Sequence, residues 1–268
     1  MPDPYTNPDA QSASAIQAMM TRLEERGRHD GFSRMIAKYV ETLPRQKPLA
    51  VLDLGCGTGV VTRQLEQVLH PASTLHGADV SSELLREAAR LTSNSRIQWD
   101  YLTAGSPLPY PDQSFDAIVM HTLLSHVPDP AGILTEAKRV LKHDGRLIVF
   151  DADHAGTTYT QPDYETTRRV DFILTSAIAT HPDICRRLPA LLKQAGYELT
   201  AHDSAVISEC GKGDYWLSSV QGFSRLIPTL GVLSPAEAEA WSRHMMTSHE
   251  DGTFFAAGAF YTFYAKPR

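Results

Sequence analysis

The run "VLDLGCGTGVV", Val51 to Val61, sets three glycines within five positions, behind an apolar segment and ahead of a second one. Glycine at a strand-to-helix turn adopts backbone angles closed to other residues and lets a second group come up against the main chain. Such a turn at the carboxyl end of a buried strand is where open α/β sheets bind ligands, because the helix that follows offers unpaired N–H groups. The run therefore predicts a ligand laid over Gly55, Gly57 and Gly59. A tight turn with no ligand is the competing reading.

The flanking sequence repeats the unit. Strand patterns cover 49–54, 73–79, 96–100, 115–120 and 146–151, and helical patterns cover 60–69, 81–91 and 130–142. Ser81 is placed to cap the second of these helices, and Asp129 followed by Pro130 opens the third, which Gly145 ends. A helix over 185–196 and strands over 197–208 and 252–267 complete the chain. Strands alternating with helices imply a Rossmann-like, mostly parallel sheet of seven strands with helices on both faces. Trp99 reads as core. Asp79 closes the second strand 20 residues after Gly59, where a carboxylate accepts hydrogen bonds from ribose hydroxyls. Read as a helix-preceding cap it would carry no ligand; read as a site, it implies a nucleoside.

The 268 residues, 42% hydrophobic and 21% charged, suit one large α/β domain with insertions. No apolar run approaches the length of a membrane span, and the start "MPDPYTNPDAQSASA" lacks signal-peptide regions, so a cytoplasmic protein is expected. A net charge of -6 without a basic run argues against nucleic acid as partner. Cys56, Cys185 and Cys210 have no metal-ligand spacing, so neither zinc nor a disulfide is expected. A small-molecule substrate remains, with the oligomeric state open, a homodimer included.

The motif Asp-x-Gly-x-Gly-x-Gly in "DLGCGTG" resembles the class I S-adenosylmethionine-dependent methyltransferases. So do "WDYLTAGSPLPYPDQSFDAIVMHTLLSHVPDP" and "AKRVLKHDGRLIVFD", in the same order, and together they cover about residues 49 to 153. The match is most similar to the branch of ubiquinone and menaquinone methyltransferases and natural-product enzymes. His143-Asp144 replaces that family's Pro-Gly, and "TAGSP" lengthens the loop after Asp100. The resemblance implies a final antiparallel strand, S-adenosyl-L-methionine as cofactor and S-adenosyl-L-homocysteine as product. It also implies roles for single residues: Gly55, Gly57 and Gly59 against the methionine part, Asp53 on its ammonium, Asp79 on the ribose, Val80 on the adenine. Asp100 and the Tyr101 backbone would read the adenine edge, and His121 would line the cofactor's other side. A plain surface carboxylate is the competing reading of Asp100.

In-line methyl transfer depends mainly on positioning, to which a general base adds about 10²- to 10⁴-fold. His154 in "DADH" and His126 in "SHVPD" are the candidates. For His126, packing or a loop hydrogen bond comes first; for His154 the roles of base and pocket wall are equally open. Asp151 and Asp153 are candidates to orient a substrate hydroxyl or amine. Substrate choice is expected in three segments: an N-terminal helical cap over 1–45, with helices near 15–26 and 32–43, and helical insertions near 155–183 and 210–250 on the domain spanning 46–268. The first insertion carries Val170, Ile173, Leu174, Ala177 and Ile178 on one face, which reads as core ahead of pocket although its place after the fifth strand is where the family inserts substrate-covering elements; the second carries Tyr215, Trp216, Phe223, Leu226 and Ile227. An apolar or aromatic acceptor follows, methylated on O, N or C. An NAD(P)-dependent oxidoreductase, or a protein that binds the cofactor without methyl transfer, such as a cyclase, are the alternatives.

Overall fold

The computed structural model describes residues 3–92, 96–161, 163–230 and 233–268, the side chains of 225–230 excepted. Leu226 and Ile227, expected in the second insertion's apolar cluster, lie outside those described side chains. Two N-terminal helices, α1 (Ala13–Arg28) and α2 (Asp30–Val40), precede the first strand. The sheet is built from β1 (Ala50–Leu54), β2 (Thr74–Asp79), β3 (Ile97–Tyr101), β4 (Phe115–His121), β5 (Leu141–Tyr159), β6 (Tyr197–Gly211) and β7 (Phe254–Pro267). Its order is β3-β2-β1-β4-β5-β7-β6, with β7 antiparallel to both its neighbours and the pairs from β3 to β5 parallel.

Helices α3 (Val60–Val68), α4 (Ser82–Arg90), α5 (Pro130–Val140) and α7 (Ile184–Gln194) connect the strands. The start signals act as their chemistry requires. The Ser81 hydroxyl accepts from the Leu84 N–H at 3.1 Å, and Asp129 accepts from the Gly132 N–H at 3.0 Å. Several boundaries differ from expectation, and two of them have a direct cause in strand pairing. Helix α5 ends at Val140 and not near Gly145, because Leu141 already pairs with Phe115 across a bulge. Strand β5 runs on to Tyr159, past the expected 146–151, because β7 offers Ala257 and Ala256 as partners to Thr158 and Tyr159. The first eight or so residues after Asp151 therefore belong to the sheet, and α6 (Tyr164–Ile178) follows.

Side chains alternate across every strand, and the two cores follow that period of two. Val51, Val119, Ile148 and Phe150 pack on one face with Phe32, Ile36 and Tyr39 of α2; Leu52, Ile118, Met120 and Val149 pack on the other with Leu134 and Leu188. Val170 and Leu174 of α6, Trp216 of α8 (Tyr215–Leu230) and Trp241 of α9 (Pro235–Asp251) join the first core. No helix among the described residues is long and apolar enough to cross a membrane.

Candidate active site

A cavity of about 2080 Å³ lies over the carboxyl ends of β1, β2 and β4, closed from the N-terminal side by residues 4–12 and α1. Pockets for one small ligand measure about 300 to 1,000 Å³, so this one has room for a cofactor and an acceptor together.

The glycine turn forms its floor. Gly55, Gly57 and Gly59 all have positive φ, at 76°, 54° and 78°. Their missing side chains serve different neighbours. A Cβ on Gly55 would meet the Leu123 side chain at 2.6 Å, and one on Gly57 only the tip of Leu23 at 3.2 Å. On Gly59 it would stand 2.3 Å from Cη2 of Trp99, and Gly59 does not line the cavity. This corrects the expectation for Gly59: it makes room for a core indole and not for a ligand.

Strand parity sorts the carboxylates. Asp53 shares its face with Val51 and lines the cavity. Its Oδ2 accepts from Thr62 at 2.5 Å, while buried Oδ1 has no hydrogen-bond partner among the described residues. Desolvation, with Asp79 nearby, pushes its pKa up to about 7. Asp79, on the same face, accepts from the Gly57 N–H at 2.8 Å and the Ser81 N–H at 2.9 Å, so it braces the turn as well as lining the cavity. Val80 and exposed Tyr101 line the wall beside it.

Asp100 and Asp153 stand one residue out of phase. Asp100 points away from the face of Ile97 and Trp99, bonds His76 Nδ1 at 2.6 Å and accepts from Tyr110 Oη at 2.8 Å, and is absent from the cavity wall. Asp153 meets Arg186 Nη2 at 2.9 Å, while its neighbours Ala152 and His154 face the cavity. Both expected roles are therefore corrected. Alternation alone, applied from Trp99 and Phe150, would have found this.

The histidines divide. His121 stacks on Phe150, ring centroids 4.3 Å apart, and pairs Nδ1 with the Tyr39 hydroxyl at 2.9 Å. Burial holds its pKa well below the usual value, so it is a neutral, flat wall. His154 lines the cavity with Nε2 buried and without a partner among the described residues. Desolvation, with His126 and Arg26 adding, lowers its pKa to about 3, which favours the pocket wall of the two roles left open for it. His126 lies with its ring 6.0 Å from that of His154, and Nδ1 meets Asp3.

Sequence reading missed Arg26 and Thr122. The Arg26 guanidinium lies 4.5 Å over the Phe32 ring, Nη1 reaches Thr122 Oγ1 at 3.4 Å, and Nε and Nη2 are buried without partners among the described residues. Thr122, a β-branched residue at φ 51°, is held there by its N–H to the Phe150 carbonyl at 2.7 Å. Strain of this kind collects at functional sites. No local pattern in α1 marks Arg26, since a cation every few residues of a surface helix is ordinary.

Sheet order, glycine turn and the acidic ends of β1 and β2 define an α/β enzyme that binds a nucleoside cofactor. The methyltransferase-domain family model matches residues 52–149. The chain is similar to the methyltransferase GfsG of Streptomyces halstedii, 31% identical over 213 residues that cover 78% of this chain and 73% of that one. It is 43% identical over 105 residues to the demethylmenaquinone methyltransferase of Tropheryma whipplei strain Twist, covering 39% of this chain and 42% of that one. A solved structure from Bacillus halodurans C-125 superposes with a TM-score of 0.61 at 16% identity, covering 87% of this chain and 99% of that one, a likeness of fold. The chain belongs to the class I S-adenosylmethionine-dependent methyltransferases.

Proposed function

We propose that this methyltransferase acts on an oxygen, nitrogen or carbon nucleophile of a small apolar or aromatic metabolite in the cytoplasm, and not on nucleic acid. The observation that carries the acceptor class is the cavity wall beyond the glycine turn, where Phe32, Tyr159, Tyr215, Trp216 and Phe223 face space that a cofactor alone would not fill. The name of one relative, a demethylmenaquinone methyltransferase, supports an apolar acceptor.

The residues fit the cofactor. Two buried groups of opposite charge, Asp53 Oδ1 and the Nε/Nη2 edge of Arg26, lack partners among the described residues, and a zwitterionic amino acid would satisfy both. Asp53 would hold the ammonium and Arg26 the carboxylate, with Gly55 and Gly57 allowing close approach. Asp79 would bind the ribose through lone pairs its two backbone bonds leave free, and Val80, Tyr101 and His121 would form the walls. When bound, S-adenosyl-L-methionine supplies a methyl group activated by a sulfonium and leaves as S-adenosyl-L-homocysteine. The chain orients the acceptor, excludes water by the N-terminal segment and α1, and keeps His121 and Cys56 neutral by burial.

Incubation with methyl-labelled cofactor and a panel of phenols, quinones and amines, followed by mass analysis, tests the reading. Label in a product is expected. Tight cofactor binding with no labelled product would favour the non-transferring binder, and tighter binding of NAD would favour the oxidoreductase.

A further inference from the structure

The N-terminal strap, residues 3–12, meets the cavity lining through a hydrogen bond between a carboxylate and an imidazole. Asp3, 6% exposed, places Oδ2 at 2.6 Å from Nδ1 of His126. The same carboxylate accepts from the Thr180 N–H at 3.0 Å and the Tyr5 N–H at 2.9 Å, so its orientation is over-determined. Thr6 donates to the His126 carbonyl at 2.9 Å and lies 3.2 Å from the Thr180 hydroxyl, and the Tyr5 ring packs 4.9 Å from the imidazole. Since a carboxylate only accepts, His126 Nδ1 carries the proton, and in the neutral ring Nε2 carries the lone pair. His126 lines the cavity and Asp3 does not.

Resting on the methyltransferase reading, we infer that Asp3 and His126 form a proton-accepting dyad, completed when the N-terminal strap docks, and that the acceptor bears an O–H or N–H group. His126 Nε2 is the catalytic atom and Asp3 the positioning residue. The acceptor's heteroatom forms the bond to the methyl carbon as the carbon–sulfur pair returns to sulfur, and its proton passes to Nε2 and then to water. The imidazolium so formed is held by Asp3. His154, 6.0 Å away and buried, stays neutral and offers Nε2 as a hydrogen-bond partner to the acceptor. A carboxylate that fixes the tautomer of a base in this way serves other enzymes through the same geometry.

Nitrogen-15 NMR of the free protein, labelled at histidine, reads the tautomer without any acceptor. Wild type should show His126 protonated on Nδ1, and Asp3→Ala should shift the population to the Nε2–H form. Asp3→Asn, the isosteric control for folding, should lower turnover on any labelled phenol or amine by about 10²-fold or more while S-adenosyl-L-homocysteine binding stays within about twofold. A wild-type His126 protonated on Nε2, or a tautomer unchanged in Asp3→Ala, overturns the dyad. Wild-type turnover in Asp3→Asn also overturns it. Failure of S-adenosyl-L-homocysteine to bind the wild type would instead strike the methyltransferase reading, and the tautomer result would stand by itself.

Discussion

Trp99 fills the space that a side chain on Gly59 would need, its Cη2 lying 2.3 Å from the position of a Cβ there, and the same indole would meet a Cβ on Gly77 at 2.4 Å. The third glycine of the turn thus belongs to the packing of β2, β3 and α3. Gly59→Ala must both overlap an indole and adopt φ near 78°. Left-handed backbone costs about 1–2 kcal/mol and overpacking about 1–3 kcal/mol, so urea unfolding should show a loss of roughly 2–4 kcal/mol. A change below about 0.5 kcal/mol would reject the packing role.

Asp53 gives a pH dependence of defined sign. Its pKa is raised to about 7, so in the free protein below that pH it holds a proton that a cofactor ammonium bound as proposed would displace. Cofactor affinity should rise as pH approaches about 7 and level off above it, with proton release on binding below that value. In the free protein the native state binds more protons than the unfolded chain between the unfolded value and about 7, so Asp53's contribution to stability falls as pH rises through that window. Calorimetry in buffers of different ionisation enthalpy measures the released proton. Equal heats in all of them at about pH 6 would remove Asp53 from the ammonium site.

Arg26→Gln should weaken S-adenosyl-L-homocysteine binding by about 10- to 100-fold, the scale of a lost charged hydrogen bond of about 1.5–3 kcal/mol. Methylthioadenosine, which lacks the amino-acid part, should bind both proteins equally. Equal loss for the two ligands would mean that Arg26 acts on the cavity's shape.

Asp100→Ala should leave cofactor affinity within about twofold and lower stability by about 1–3 kcal/mol, because it strips His76 and Tyr110 of their shared acceptor. A tenfold loss of affinity would return Asp100 to the adenine site.

His154 reports in the opposite pH sense to Asp53. With its pKa lowered to about 3, the unfolded chain binds the extra proton between about 3 and 6.5, and stability rises with pH across that window. His154→Gln should remove this slope, gaining on wild type in urea unfolding at about pH 5 relative to pH 8, and turnover should fall by no more than about tenfold, as for a lost neutral hydrogen bond. A loss of about 10²-fold or more would make His154 the base.

Rules that act over a few residues were legible in the sequence. Alternation of strand and helix, the caps at Ser81 and Asp129, and the turn at Gly55 to Gly59 all follow from contacts with near neighbours in the chain, and they place the glycine-turn end of the cavity. The carboxylate directions at Asp100 and Asp153 were legible too, through the period of two, once Trp99 was known to face the core. What tertiary structure decided is which distant groups satisfy one another. Asp3 reaches His126 across 123 positions, Arg26 of α1 arrives beside Thr122 of the β4 end, and β7 lengthens β5 by offering it a partner. Burial is a property of the assembled chain, so the neutral state of His154 and the proton on Asp53 could arise only once α1, α2 and the strap had excluded water from the cleft.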